Sequence, residues 1–365
     1  IADKQVVSPR ERDRLESAPR DRVVSAHETG CLQLILDIFN HFMPAAYFEK
    51  LRQLVPDHPA ATAFPKLATL WDLDARLKLL DQFGDYSQVL SLANPPLELL
   101  GPPERTAELA RLANDGLAYI CARQPRRFPT FIASLPMNSV DATLKEIDRA
   151  VRDLGAKGIQ VFTNVAGKPL SAPEFRPIFK RMVELDLPVW VHPMRGPQFA
   201  DYATEQGSED EIWFTFGWPY ETTACMTRLI YSGLFDEMPR VKIITHHMGG
   251  MIPYFAGRIA LGFKQIFFGA PDRNPGAERL EKPPREYFKM LYADTALNGD
   301  VGATICGHAY FGTERCLFAT DAPFDSEKGR GLIAGTIAAV NALDISPAAR
   351  EQIFSGNARA LLKLA

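Results

Sequence analysis

The sequence predicts a closed (β/α)8 TIM-type barrel, and three features of the 365-residue chain lead there. Short apolar, β-rich runs recur about every 40 residues from residue 32 onward. Amphipathic stretches fill most of the gaps between them. The runs are apolar throughout, as strands buried on both faces are. Eight such units make a parallel barrel sheathed in helices. An open doubly wound sheet would alternate in the same way, but no Gly-rich dinucleotide loop follows the first run.

The runs occupy 32–39, 87–92, 128–135, 158–163, 188–192, 241–246, 290–295 and 316–321. Helical spacing covers 71–83, 104–123, 139–155, 173–186, 220–235, 251–267, 328–342 and 346–364. Residues 53–70 and 194–218 are too long for plain connections, and long loops in a compact domain are commonly functional. Both are expected over the C-terminal mouth, where barrel active sites are built. Residues 1–30 carry six basic and six acidic side chains with few apolar ones between them. They read as a partly ordered arm, followed by a single barrel domain at 31–365.

Composition narrows the function classes. A net charge of −3 with both signs interspersed lacks the basic surplus of a nucleic-acid binder. No apolar stretch reaches the ~18 residues of a membrane span, and no signal-peptide pattern opens the chain. Five scattered cysteines, Cys31, Cys121, Cys225, Cys306 and Cys316, form no CxxC. They fit a reducing cytoplasm better than a disulfide framework.

The seven histidines carry most of the chemical information. His41, His192, and the His246–His247 pair end the first, fifth and sixth runs, and Asp321 ends the eighth. Four strands thus finish in ligand-type or acid/base side chains at one end of the barrel. Imidazole and carboxylate together suit a divalent metal, zinc first and manganese second, with one position open to water or substrate. His27, His58 and His308 read as surface or packing residues. Glu221 reads as a first-turn helix carboxylate, Asp294 as a supporting strand-end acid, and Trp213, Phe214, Phe216 and Trp218 as an aromatic wall or rim.

Four separated motifs now have a common bearing: Asp37-Ile38-Phe39-Asn40-His41, Val191-His192-Pro193, His247-Met248-Gly249-Gly250 and Thr320-Asp321-Ala322-Pro323-Phe324. From residue 32 to the C-terminus the chain resembles the amidohydrolase-related (amidohydrolase 2) decarboxylases, whose branches include aminocarboxymuconate semialdehyde, γ-resorcylate and 5-carboxyvanillate decarboxylases. Leu135-Pro136-Met137, the 219–223 segment, Tyr292-Ala293-Asp294 and the placing of Arg258 are most similar to the aminocarboxymuconate branch. Where the resorcylate branch has a glutamate three residues after the histidine, this chain has Gly250.

The resemblance implies that His41, His192 and Asp321 hold the metal and that His247 is the acid/base, with Asp321 serving catalysis too. His246, on the opposite strand face by period-two alternation, would pack against the outer helices. Arg258 would enter a neighbouring subunit's site to hold a substrate carboxylate, which implies a homodimer or larger assembly. Only Lys66 precedes Trp71 where that branch has an arginine, so Arg195 is the candidate replacement, with Phe39 and Phe324 lining the pocket. Phe39 stands where relatives carry a His or Glu ligand, so the metal is expected to be weakly held. The implied activity is metal-dependent, non-oxidative decarboxylation of an aromatic or unsaturated carboxylic acid, without organic cofactor. The alternatives are a hydrolase or hydratase using a His-activated water, and a non-catalytic barrel acting as a binding subunit.

Overall fold

The structure is a computed structural model that describes residues 33–262 and 280–364. The expected N-terminal arm, with His27, and Cys31 after it lie outside the described residues. From Leu34 onward the chain forms one compact unit. Eight parallel strands run in chain order: β1 Ile35–Asp37, β2 Tyr86–Gln88, β3 Ala133–Ser134, β4 Ile159–Phe162, β5 Val189–His192, β6 Ile243–Thr245, β7 Tyr292–Asp294 and β8 Cys316–Leu317. Each falls inside or at the edge of one apolar run.

Strands β3 to β8 pair in sequence order and β1 pairs with β2. A bridge between Leu90 and Phe131 carries β2 onto β3. The Ile38 N–H donates to the Phe318 carbonyl at 3.0 Å and the Asp321 N–H to the Phe39 carbonyl at 3.0 Å, joining the last strand to the first. The sheet is therefore a closed ring.

Apolar runs suit this ring because both strand faces are buried. Along β5, Val189 and Val191 pack outward into the layer between strands and helices. Trp190 points inward among Leu36, Ile38, Val89, Ile132 and Ile244. The C-terminal helix Asn357–Leu362 adds Leu361 and Leu362 to that inner cluster. The outer helices follow the predicted stretches closely; Val140–Arg152, for example, buries Ile147 and Ala150 and starts at Ser139, whose hydroxyl accepts from the Ala142 N–H at 3.3 Å. Helix Val301–Phe311 is apolar nearly all round and so lacks the stripe that marks an amphipathic helix. The 251–267 stretch becomes helical only at Ala256 and is described as far as Gly262. Among the described residues no helix is long and apolar enough to cross a membrane.

Candidate active site

The residues that end β1, β5, β6 and β8 meet at the C-terminal mouth. His41 lies four residues beyond β1, held by a parallel bridge to Ser91. Its Nδ1 faces the Leu92 carbonyl at 3.2 Å, so that nitrogen carries the proton and Nε2 turns to the site. His192, the last residue of β5, donates from Nδ1 to the Pro193 carbonyl at 2.7 Å and is oriented the same way. Asp321 completes the group, and the ligand atoms of the three all lie within 4.8 Å of one another.

These residues fit a divalent cation. His41 Nε2 stands 2.9 Å from Asp321 Oδ1, although its other nitrogen already donates to a carbonyl. Protonated on both nitrogens, His41 donates to the Leu92 carbonyl and to Asp321; protonated on Nδ1 alone, it turns a lone pair beside the carboxylate, and these would be the donors for a divalent cation. Burial, reinforced by repulsion from the neighbouring imidazoles, keeps the His192 pKa well below its ordinary value, so His192 is the neutral ligand form. Burial pushes the Asp321 carboxyl up, but hydrogen bonds from His247 and His41 outweigh it and hold the group well below the usual carboxylate range.

His247 closes the cluster, its Nε2 3.5 Å from Asp321 Oδ2. Burial lowers its pKa, but the Asp321 and Asp294 carboxylates outweigh that and raise it. The turn bearing it is unusual: His247 and Met248 have φ of 52° and 51° without being glycine, and Asp321, after the last strand, has φ 61°. Such strain persists where the surroundings over-determine it, often at functional sites. Gly250 in the same turn has φ 63°, and a Cβ there would fall 2.4 Å from the Pro219 carbonyl. A larger side chain has no room at this position.

His246 does not pack against the outer helices. Ile244 points into the barrel, and His246, two residues on, follows it inward. Its ring lies 3.7 Å from that of Phe39 and 5.6 Å from that of His192. The strand ends at Thr245, and the positive φ at His247 swings that second histidine inward as well. Asp294 holds both: one oxygen pairs with His246 Nδ1 and the other accepts from the His247 N–H at 2.9 Å.

A cavity of about 930 Å³ opens above His41, His192 and Asp321. Both long connections wall it, 53–70 through Phe64 and 194–218 through Arg195, Trp213, Phe214 and Trp218. Phe324 faces it as expected, with its ring 5.3 Å from that of His41. Phe39 lies beneath, fully buried, its ring centre 4.7 Å from that of His41 in an edge-to-face arrangement. Arg195 stacks over Phe199 and reaches Glu221 at 3.4 Å.

Other expectations hold only in part. His58 is exposed, as expected, and also lines the cavity mouth, and Phe216 is exposed outside it. Glu221 is not in a first turn, because its helix Gly217–Tyr231 begins four residues earlier. Arg258 is exposed on helix Ala256–Gly262 and does not line this chain's cavity. Asn94 and Asn298 also line the cavity; no motif singles them out.

The amidohydrolase family profile matches residues 70–364. The chain belongs to the amidohydrolase family. It is 35% identical over 298 residues to the γ-resorcylate decarboxylase of a Rhizobium species, covering 80% of this chain and 87% of that protein. With the 2-amino-3-carboxymuconate-6-semialdehyde decarboxylase of Dictyostelium discoideum it shares 28% over 296 residues, 80% of this chain and 77% of that one. The identity is higher with the resorcylate enzyme. Among solved structures, the 2,6-dihydroxybenzoate decarboxylase from Rhizobium superposes with a TM-score of 0.75 at 32% identity, over 91% of this chain and 99% of that one. The dihydroxybenzoic acid decarboxylase from Polaromonas sp. JS666, with bound manganese and the inhibitor 2-nitroresorcinol, gives 0.74 at 30%, over 91% and 97%.

Proposed function

We propose that this chain is a divalent-metal-dependent carboxy-lyase that removes carbon dioxide from a flat aromatic or unsaturated carboxylic acid. One observation carries the reading: a single carboxylate, Asp321, is shared between a ligand cluster and an acid/base imidazole at the floor of an aromatic-walled cavity. His41, His192 and Asp321 would hold the cation, zinc or manganese by donor type. When bound, it would supply a Lewis-acid charge that binds and orients substrate oxygens.

The protein's own groups do the rest. Trp213, Phe214, Trp218 and Phe324 offer flat apolar walls for a planar acid, and Arg195 offers a guanidinium to its anionic edge. Asp321 keeps His247 protonated, and His247 delivers that proton to the carbon bearing the carboxylate. The carbon–carbon bond then breaks, its electron pair stays with the ring, and carbon dioxide leaves. His247 recovers a proton from solvent. An Arg258 from another copy of the chain could add to the anionic contacts only in an assembly of at least two copies.

Turnover of a panel of hydroxybenzoic and dienoic acids in D₂O tests this. The expected result is carbon dioxide with one deuterium at the former carboxyl carbon and no added oxidant or cofactor. Cleavage that consumes water and releases an amine, alcohol or second acid would replace it with the hydrolase reading.

A further inference from the structure

A second, smaller cavity lies at the ends of β2, β3 and β4, lined by Leu92, Glu98, Ser134, Gln160 and Phe162 among others. Its free volume is about 10 Å³, room for a single water molecule. Three side-chain atoms buried beside it have no hydrogen-bond partner: Glu98 Oε1, Ser134 Oγ and Gln160 Oε1. Glu98 is 7% exposed and the other two 5% each. A buried polar group left unpaired destabilises the fold, so each of these atoms calls for a partner. Burial pushes the Glu98 carboxyl up to about 7.

The three orphans are complementary to one molecule. Two are acceptors and the third is a hydroxyl that can donate; a water donates twice and accepts once or twice. The far side of Gln160 leads to the active site. Its Nε2 donates to the Leu92 carbonyl at 3.3 Å, and that carbonyl also accepts from His41 Nδ1 at 3.2 Å. Phe162, from the same strand, packs edge-on to His192 at 5.4 Å.

We propose that Glu98, Ser134 and Gln160 form an internal water site, and that its occupant makes Glu98 a positioning residue for His41. The water donates to Glu98 Oε1 and Gln160 Oε1 and accepts from the Ser134 hydroxyl. Gln160 is thereby fixed in one amide orientation, its Nε2 on the Leu92 carbonyl. The carbonyl, so placed, holds His41 with Nδ1 protonated and Nε2 toward Asp321. The part concerning His41 rests on the proposed metal reading; the water site does not.

Three measurements on the full-length protein separate these parts. A crystal structure at high resolution should show one ordered water within hydrogen-bond distance of all three side chains, and a dry cavity overturns the proposal. Glu98→Leu should weaken manganese binding about tenfold in chelator competition, the lower end of what losing such a supporting group costs a metal site. It should also shift the ¹⁵N resonances of His41, while Glu98→Gln, which keeps the acceptor, restores both. Ser134→Ala, the gentler change, should give a smaller loss in the same direction. Unchanged affinity and unchanged His41 resonances in folded Glu98→Leu and Ser134→Ala overturn the positioning role. His41→Ala tests the metal reading alone: full manganese affinity there would refute His41 as a ligand while leaving the water density to decide the site.

Discussion

Two aspartates, Asp37 on the first strand and Asp321 after the last, stand on either side of Phe39 and have opposite surroundings. Asp37 is wholly enclosed and accepts hydrogen bonds only from neutral groups: the N–H of Phe39 and Thr320, the hydroxyls of Thr320 and Tyr86, and the Gln88 amide. Burial pushes its carboxyl up to about 6 despite those bonds. Asp321 is 18% exposed and faces imidazoles and a cavity. The first ties β1, β2 and β8 together and has no lone pair to offer. The second keeps room for a cation and a substrate. A carboxylate saturated by neutral donors is architecture; one met by imidazoles at a cavity floor is equipped for chemistry.

The largest expected effect is on the open side. His247→Ala should lower kcat by about 10³-fold, the usual weight of a general acid. Metal content by atomic emission should stay at the wild-type level, because His247 is outside the ligand cluster. Loss of metal in that variant would make His247 a ligand and dissolve the division of labour around Asp321.

On the closed side, Asp37→Asn places an amide against a ring of donors. It should destabilise the fold by about 2 kcal/mol, the cost of buried donors left without an acceptor. Urea melts read this as a lower midpoint with an unchanged slope. A drop in kcat in the folded variant, with stability intact, would mean that Asp37 takes part in catalysis.

Arg195→Met keeps the apolar stem but removes the guanidinium that faces the cavity. Losing one charge-assisted bond to an anionic substrate should raise KM about tenfold with kcat little changed. An unchanged KM would leave Arg195 as a partner of Glu221 only.

Phe39 links the two aspartates, its N–H on Asp37 and its ring against His41, His192 and His246. Phe39→His should slow metal loss to a chelator by a few-fold to about tenfold, since it adds a donor beside the cluster. A faster loss would show that the phenyl ring supports the ligands rather than displacing one.

Much of this was legible in the sequence. The barrel could be read because buried parallel strands must be apolar on both faces, and eight such runs leave few other closed arrangements. His41, His192 and Asp321 could be read because strand ends in a barrel converge. The histidine pair could not. Alternation applies only while a strand lasts, and β6 stops at Thr245, one residue before the pair. Gly249 and Gly250 hint at a turn, but nothing in the sequence gives positive φ to His247 and Met248. The saturation of Asp37 was hidden for a different reason. Its partners Tyr86, Gln88 and Thr320 lie 49 to 283 residues away and share no motif with it. The orphaned atoms around Glu98 likewise exist only once three strand ends are brought together.

Equilibrium manganese binding to three proteins, wild type, Asp37→Asn and Asp321→Asn, separates the open carboxylate from the closed one. Wild type and folded Asp37→Asn should bind the ion with the same affinity, and Asp321→Asn should bind it at least tenfold more weakly. Equal binding by Asp321→Asn, or loss of binding in folded Asp37→Asn, would place the metal elsewhere and contradict the site built on His41, His192 and Asp321.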